Sequence, residues 1–430
     1  MKKILLIFIT LPLCYTVSAE SMHQDSISQD SIYRNVKLDS IVVTGQRPLV
    51  KSEGSKQTVT VKGSYLSRMG TLGNMLAFTP GMSEAGANNF VVVGKGTPKY
   101  YIDGREVTVQ DIFTTVKADN IDKIEIEREP SAEYPTGTNA VVNIITVKPL
   151  KDFISLDVSN YTTVRRKFSD LPTVAFKMKK GIWSWSLQYG YSASNNLNKE
   201  TYFTEIFSED TQASRFRSDA YNNNRSSSST HTVTWANDLN INKNHKIGFA
   251  YYFEHRLGKT NNDETVRYSG YRHYADRDVS VKDRSHSNVH NFTLDYFGKT
   301  GKESSVSVSA DYSIINRNST TGSYETNLET AVNTDIFTGN KTDYGVLTLN
   351  AGYSFVLPWN VSANVGGRYY NVESMSDHDT DNPRFTAYYA SNRQKTRDNV
   401  SAGYFTLTKR FGRVFTVRLG GRYEYTLIPE

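Results

Sequence analysis

The chain has 430 residues, a formal net charge of +6, 38% apolar residues and a 12% aromatic share that includes 28 tyrosines and 20 phenylalanines. That charge is small for the length and forms no long basic run, which argues against a nucleic-acid-binding surface. The low apolar share argues against a large soluble enzyme core, and scattered aromatics among Ser, Thr and Asn suit many half-exposed strands.

In chain order, residues 1–19 read as a signal peptide: Lys2 and Lys3, an apolar stretch from Ile4 to Leu13, and the small-residue site Val17-Ser18-Ala19. The stretch is too short to span a bilayer as a helix. Cleavage after Ala19 removes Cys14, the single cysteine, so disulfide and thiol chemistry are excluded from the mature chain. Residues 20–35 are polar and aperiodic, as in a flexible periplasmic leader. Residues 36–48, "VKLDSIVVTGQRP", form a short β-branched run ending in turn residues. No later stretch holds 18 consecutive apolar residues, so a membrane crossing would require a β-barrel.

Residues 49–150, most clearly Thr58 to Val147, pattern as a small α+β domain. Val59 and Val61 mark a strand. Thr71 is placed to cap a helix carrying Leu72, Met75 and Leu76, which Pro80-Gly81 stops. Phe90 to Val93 and Tyr100 to Ile102 are further strands, and Asp103-Gly104 between apolar runs signals a tight hairpin. A second helix is expected to bury Ile112, Phe113 and Val116. Ile124 and Ile126 then alternate with Glu125 and Glu127. The stretch "EREPSAEYPTGTNAVVNIITVKP" (Glu127 to Pro149) ends in an apolar strand, Val141 to Val147.

From 151 to 430 the period changes to two. Trp183, Trp185, Leu187, Tyr189 and Tyr191 share one face. So do Val306, Val308, Ala310, Tyr312 and Ile314, and so do Phe415, Val417, Leu419, Tyr423 and Tyr425. Alternation over ten or more residues exceeds the usual ~5–6 of soluble strands and matches the ~9–11 of membrane strands. Short turns near Gly181, Asn244, Thr300, Pro358 and Gly412 recur at separations of 63, 56, 58 and 54 residues, with long polar stretches (Asn195 to Ser228, Leu257 to Ser285, Glu373 to Asp398) at the other ends. That asymmetry is expected of an outer-membrane barrel. Eleven strands are expected, near 152–162, 172–179, 182–193, 230–241, 246–256, 288–298, 303–315, 343–356, 360–372, 398–410 and 414–427. Arg368, Arg418 and Arg422 fall opposite the apolar stripe and should face the lumen, where they could meet the preceding domain.

"YYIDGREV" (Tyr100 to Val107) with "IDKIEIEREPSAEYPTGTNAVVNIITVK" (Ile121 to Lys148) resembles the plug domain of TonB-dependent outer-membrane receptors. "TLGNMLAFTPGM" (Thr71 to Met82) is similar to the early helix of that plug, and the resemblance covers roughly 36 to 427. Residues carried over as plug motif are Asp103, Gly104, Tyr134, Gly137 and Asn143. The resemblance implies a small α+β plug followed by antiparallel transmembrane strands, about eleven of an expected 22. A full chain of that kind would approach roughly 750 residues.

It further implies a Gram-negative outer-membrane importer of a scarce bulky nutrient (siderophore, cobalamin, glycan or peptide), with no cofactor and no catalysis. Its partners would be a TonB-type periplasmic energy transducer, outer-membrane lipid and lipopolysaccharide, and the nutrient. Asp39, Ser40, Ile41, Val42, Val43 and Thr44 would be the coupling segment, adding a strand to the transducer's sheet; the plainer reading makes Ile41 to Thr44 the first plug strand. Two alternatives remain: a surface barrel that binds without transporting, and a truncated receptor fragment, whose open edges in lipid would prevent insertion as a conducting barrel.

Other motifs carry less. "VVVGKGT" (Val91 to Thr97) lacks the Gly-Lys-Ser/Thr order of a phosphate loop. "ESMSDHDTD" (Glu373 to Asp381) gathers acids and His378 in an expected loop, where a calcium site competes with simple solvation; His286 and His290 lack a ligand cluster, so no metal is expected. Tyr268, Tyr271, Tyr274, Phe385, Tyr388 and Tyr389 are aromatic candidates for ligand contact, or for packing of the loops against each other.

Overall fold

The computed structural model describes residues 48–427, apart from 87–88, 108–112, 114–115, 148–150, 165, 208–213, 270–274, 382–391 and 413–414. The signal-peptide, leader and coupling-segment residues before Pro48 lie outside the described residues, as does Ile112 of the expected second helix.

The N-terminal part is a 6-stranded sheet of order β1-β2-β7-β8-β5-β6, where β1 is Val50–Glu53, β2 Lys56–Thr60, β5 Lys99–Ile102, β6 Arg105–Val107, β7 Ile121–Glu127 and β8 Val141–Thr146. A separate pair joins β3 (Met82–Glu84) to β4 (Phe90–Val92). Helix α1 (Leu72–Ala77) starts where Thr71 Oγ1 accepts from the Asn74 N–H at 3.2 Å, satisfying one of its orphan donors. Thr79 Oγ1 closes the other end by donating to the Met75 carbonyl at 2.8 Å. The α1 residues Leu72, Met75 and Leu76 are fully buried against Val59, Ile124, Ile126 and Ile144. The alternation of β7 thus puts its isoleucines inside, with Ile124 opposite Val59 on one side and Ile144 on the other. Strand β1 has four exposed residues and no apolar period, so the sequence carries no signal for it.

The remainder is one 11-stranded antiparallel sheet in strict sequence order. It comprises β9 (Phe153–Val164), β10 (Phe168–Lys180), β11 (Trp183–Phe207), β12 (Ser214–Asn240), β13 (His245–Ser269), β14 (Arg277–Lys299), β15 (Ser305–Asn327), β16 (Asn333–Leu357), β17 (Val361–Thr380), β18 (Asn392–Phe411) and β19 (Phe415–Leu427). Edge strands β9 and β19 do not pair with each other, so the barrel is not closed. The short turns fall where expected, and positive φ at Gly181 (58°), Trp359 (64°) and Gly412 (60°) makes three of them tight.

One expectation is corrected. The polar stretches expected as long loops are mostly strand: β11 runs on to Phe207, β12 begins at Ser214, β13 reaches Ser269, β14 begins at Arg277, and β17 holds its ladder to Thr380. Glu373 to Thr380 is therefore strand rather than a calcium-type loop. β12 has 27 residues, far more than the ~9–11 that cross a bilayer. Its excess lies at the end away from the short turns. There water meets both faces, so no apolar alternation is required, while the ladder satisfies the backbone whatever the side chains. Cross-strand ion pairs join these extensions: Arg225–Asp263 at 2.9 Å, Arg393–Asp377 at 2.7 Å and Arg397–Glu373 at 3.1 Å.

Nearer the short turns the outward face is apolar and uncovered. Ile154, Leu156 and Val158 on β9 are 66–70% exposed, and Leu294, Leu349, Phe405 and Leu419 continue the stripe across the sheet. So much exposed apolar area on every strand requires a non-aqueous neighbour. Trp183, Trp359, Phe411 and Phe415 ring its lower margin, as interfacial aromatics do.

Candidate functional site

The inner face of the sheet meets the α+β part through two groups of polar contacts. The first is built on the β5–β6 hairpin. Asp103 (φ 50°) and Gly104 (φ 84°) give its two-residue turn left-handed backbone at both positions. The Asp103 carboxylate accepts from the Thr146 N–H at 3.0 Å and the Thr146 hydroxyl at 2.5 Å, and the Gly104 N–H donates to Asn143 Oδ1 at 3.1 Å. Asp103, Gly104 and Asn143 therefore work together, pinning the hairpin tip to β8. Asp103→Ala is expected to remove both carboxylate bonds and to lower the stability of the hairpin by about 1–2 kcal/mol. Faster amide exchange at Ile102 and Arg105 than at Ile124 would register it, whereas Asp103→Asn should lose less.

This anchored hairpin aims Arg105 and Glu106 at the strand wall. Arg105 Nε donates to Asp295 Oδ1 on β14 at 2.5 Å, and its Nη2 to Asp238 Oδ1 on β12 at 3.0 Å. Lys246 shares Asp238 at 3.1 Å. Burial works against the guanidinium charge, but Asp295 and Asp238 outweigh it and hold Arg105 above its ordinary pKa. Glu106 meets Lys99 at 2.6 Å and Arg368 of β17 at 3.1 Å. Burial pushes Glu106 up, yet Lys99 and Arg368 together keep it below the usual carboxylate range. Neighbouring strand residues point in opposite directions, and both of these reach the same face of one sheet. The wall must therefore curve around the hairpin.

The second group lies along residues 127–136. Tight turns hold this segment: the Tyr134 N–H donates to the Ser131 carbonyl at 3.1 Å, and Gly137 takes φ 81°. On β19, Arg418 Nη1 donates to Glu127 Oε1 at 2.5 Å and the Glu129 carbonyl at 3.2 Å. Arg422 Nη1 reaches the Ala132 carbonyl at 3.3 Å, and Asn364 Nδ2 of β17 donates to Glu133 Oε2 at 2.8 Å. Burial of Glu127 raises its pKa despite Arg418. The Tyr134 ring stands edge-on to Tyr101 with centroids 5.6 Å apart. Burial, helped by Glu133, keeps its hydroxyl protonated.

Arg368, Arg418 and Arg422 thus meet the α+β part, as strand parity implied. Arg105 and Glu106 lie within "YYIDGREV", but the sequence reading gives them no role. Their partners on the wall lie 190, 133 and 262 residues away, so no local spacing could reveal them. Tyr271, Tyr274, Phe385, Tyr388 and Tyr389 lie outside the described residues. Tyr268 is in β13, with Arg277 over its ring at 5.9 Å. His286 lies 3.2 Å from Asn288 Nδ2, and His290 is hydrogen-bonded to the Tyr251 hydroxyl at 2.9 Å.

Residues 295–429 match the outer membrane protein beta-barrel family. The match falls within the wall, from β14 to the end of β19. An uncovered apolar belt, short turns at one end and that match together make this an outer-membrane β-barrel wall, here of eleven strands, with a small plug-like α+β part against its inner face. No curated protein matches the chain.

Among solved structures, the ferric citrate transporter FecA in its unliganded form is similar at 13% identity and a TM-score of 0.44, covering 86% of this chain and 62% of that one. The ferric yersiniabactin uptake receptor FyuA from Yersinia pestis is similar at 10% identity and TM-score 0.38, covering 82% and 64%. BauA, the ferric preacinetobactin receptor from Acinetobacter baumannii, is similar at 13% identity and TM-score 0.37, covering 82% and 63%. The chain thus spans less than two thirds of the length of these three structures. Likeness at this level carries no functional assignment.

Proposed function

We propose that the chain is the plug and part of the wall of an outer-membrane importer of the TonB-dependent kind. Residues 49–150 close the lumen, residues 151–430 form wall, and Asp39 to Thr44 take the pull of a periplasmic energy transducer by strand addition. The observation that carries this reading is the two-part polar seam. A part meant to stay put would be expected to pack against its wall through apolar surface. Here the contacts are charged and hydrogen-bonded, the type that water can take over when the part moves. The outer membrane holds no nucleotide supply, so a plug that moves needs an outside pull, which the β-branched run "DSIVVTG" is suited to receive. The cargo is a scarce bulky nutrient of one of the four classes named above.

Deletion of Asp39 to Gly45 in a full-length receptor, one whose wall is complete, separates import from simple surface binding. Cells would be given labelled ferric chelates, cobalamin, oligosaccharides and peptides, and surface binding and accumulation measured side by side. The expected result is accumulation reduced at least ~10-fold for one class, with binding retained. Accumulation unchanged in every class that the intact chain imports would overturn the coupling assignment.

A further inference from the structure

The strand extensions beyond the belt sort their charges between the two faces of the sheet. Asp238, Gly248 and Asp295 form a cross-strand row whose two aspartates meet Arg105, so residues of their parity face inward. The ladders from β12 to β18 run without a bulge, and the one between β11 and β12 shifts only at Ile206/Phe207. Each residue therefore keeps its side along the whole extension. Arg217, Arg225, Lys259, Lys341, Arg393 and Arg397 all fall outward. Among the described residues, the inward cations of the extensions are Arg256, Arg277 and Arg317, and Arg277 is paired with Glu325 at 3.5 Å.

On β11, β12 and β13 two successive inward rows carry no cation. Asn198, Asn224 and Asn262 are cross-strand neighbours, and Glu200, Asn222 and Glu264 form the next row. Neighbouring strands stand ~4.8 Å apart and successive inward residues ~6.8 Å apart, so these amides and carboxylates make a regular grid. The grid lies roughly 48 Å along β12 from Asp238, at the end away from the short turns. Asn198 Nδ2 donates to Glu200 Oε1 at 2.5 Å. Tyr202 reaches across β12 to donate its hydroxyl to Glu264, which the small Ala220 beneath it permits. Tyr202 itself stays 46% exposed. Asn222 Oδ1 and Asn262 Oδ1 are shut from water and meet no donor within the chain, which buried acceptors rarely do.

We propose that this grid binds an uncharged, hydroxyl-rich oligosaccharide, which narrows the cargo to a glycan. The inference rests on the importer reading, in which the inner face lines the cargo's path and the grid stands at its outer mouth. An amide offers both a donor and an acceptor, as each sugar hydroxyl does. A χ2 turn of Asn222 or Asn262 presents its unpaired oxygen to such a hydroxyl, and Glu200 and Glu264 accept from others. The open side of the Tyr202 ring suits the apolar face of a sugar. A polyanionic ferric chelate would meet carboxylates and no cation. A peptide docks on a sheet by adding a strand at an edge, and the grid is a face of interior strands. A largely apolar macrocycle would leave the amides unpaired.

The test uses cells carrying the full-length receptor, one whose wall is complete, with surface binding and accumulation of labelled probes measured side by side. The probes are neutral hexose oligosaccharides, the same oligosaccharides with primary alcohols oxidised to carboxylates, a ferric tris-catecholate, and a mixed peptide pool. The expected result is at least ~10-fold preference for a neutral oligosaccharide over its carboxylated form. Asn224→Ala with Asn262→Ala should weaken that binding about 10-fold, while Arg225→Gln, on the outward side of the same strand, leaves it unchanged. Glu200→Lys should raise binding of the carboxylated form about 5-fold, a gain that a misfolded wall would not give. Failure to bind any oligosaccharide, preference for the chelate, the peptides or the carboxylated form, or binding unmoved by the asparagine pair would overturn the glycan assignment alone. Oligosaccharide held through these residues but never accumulated would overturn the importer reading and leave the grid standing.

Discussion

Arg105→Met is expected to loosen the β5–β6 hairpin from the wall by ~3 kcal/mol, the largest effect of any single polar change in the seam. The side chain is about one-fifth exposed, and it bridges Asp238 and Asp295, which are 30% and 20% exposed. Its removal leaves Asp295 without its counter-charge, while Asp238 keeps Lys246 at 3.1 Å. Stranding a carboxylate in a desolvated place costs more than the pair itself contributes. Limited proteolysis between Val107 and Ile121 would report the loosening as a rise in cleavage of roughly 10²-fold. Adding Asp295→Asn should recover much of the loss, because the neutral amide needs no counter-charge. If the double variant is no better held than Arg105→Met alone, the pair is not what holds the hairpin.

The second large effect is expected inside the α+β part. Ile124→Ala should destabilise it by ~3 kcal/mol through lost burial and a residual cavity. Ile124 is fully buried between Val59 and Ile144 and shares its core with the helix residues Met75 and Leu76. Every strand that bears the seam hangs on this core: β7 carries Glu127, and β8 anchors the hairpin through Asn143 and Thr146. Amide exchange of β7 and β8 should accelerate by roughly 10²-fold, with the amides of β13 and β14 unaffected. Acceleration of the wall to the same extent would mean that the two parts unfold as one unit.

Sequence legibility differs between these parts for physical reasons. The α1 cap, the Asp-Gly turn and the Ile124/Ile126 alternation are readable because each is fixed by residues within a few positions of one another. The eleven strands are readable over their belt, where lipid on one side and polar groups on the other force a period of two. Their extensions, such as Asn222 to Ser229 of β12, look like loops in sequence, because water on both faces removes that period. The seam is half legible. Strand parity puts Arg368, Arg418 and Arg422 on the inner face, but nothing near Arg105 in sequence announces Asp238 or Asp295. Pairings at such separations are decided only by how the wall curves.

A disulfide between Ala132→Cys and Gly420→Cys tests most directly that the α+β part lodges against the inner face of the wall. A Cβ placed on Gly420 would lie 3.3 Å from the Ala132 Cβ, close to the ~3.5–4.5 Å of a disulfide, and the sequence holds a single native cysteine, Cys14, which Cys14→Ser removes as a competitor. Peptide mapping of protein from the oxidising periplasm should recover positions 132 and 420 as one bridged species, with both introduced thiols protected from alkylation. A control that pairs Ala132→Cys with Val417→Cys, on the outward face, should not bridge. Free alkylation of both introduced thiols of the Ala132→Cys, Gly420→Cys variant in folded, membrane-fraction protein would contradict the account.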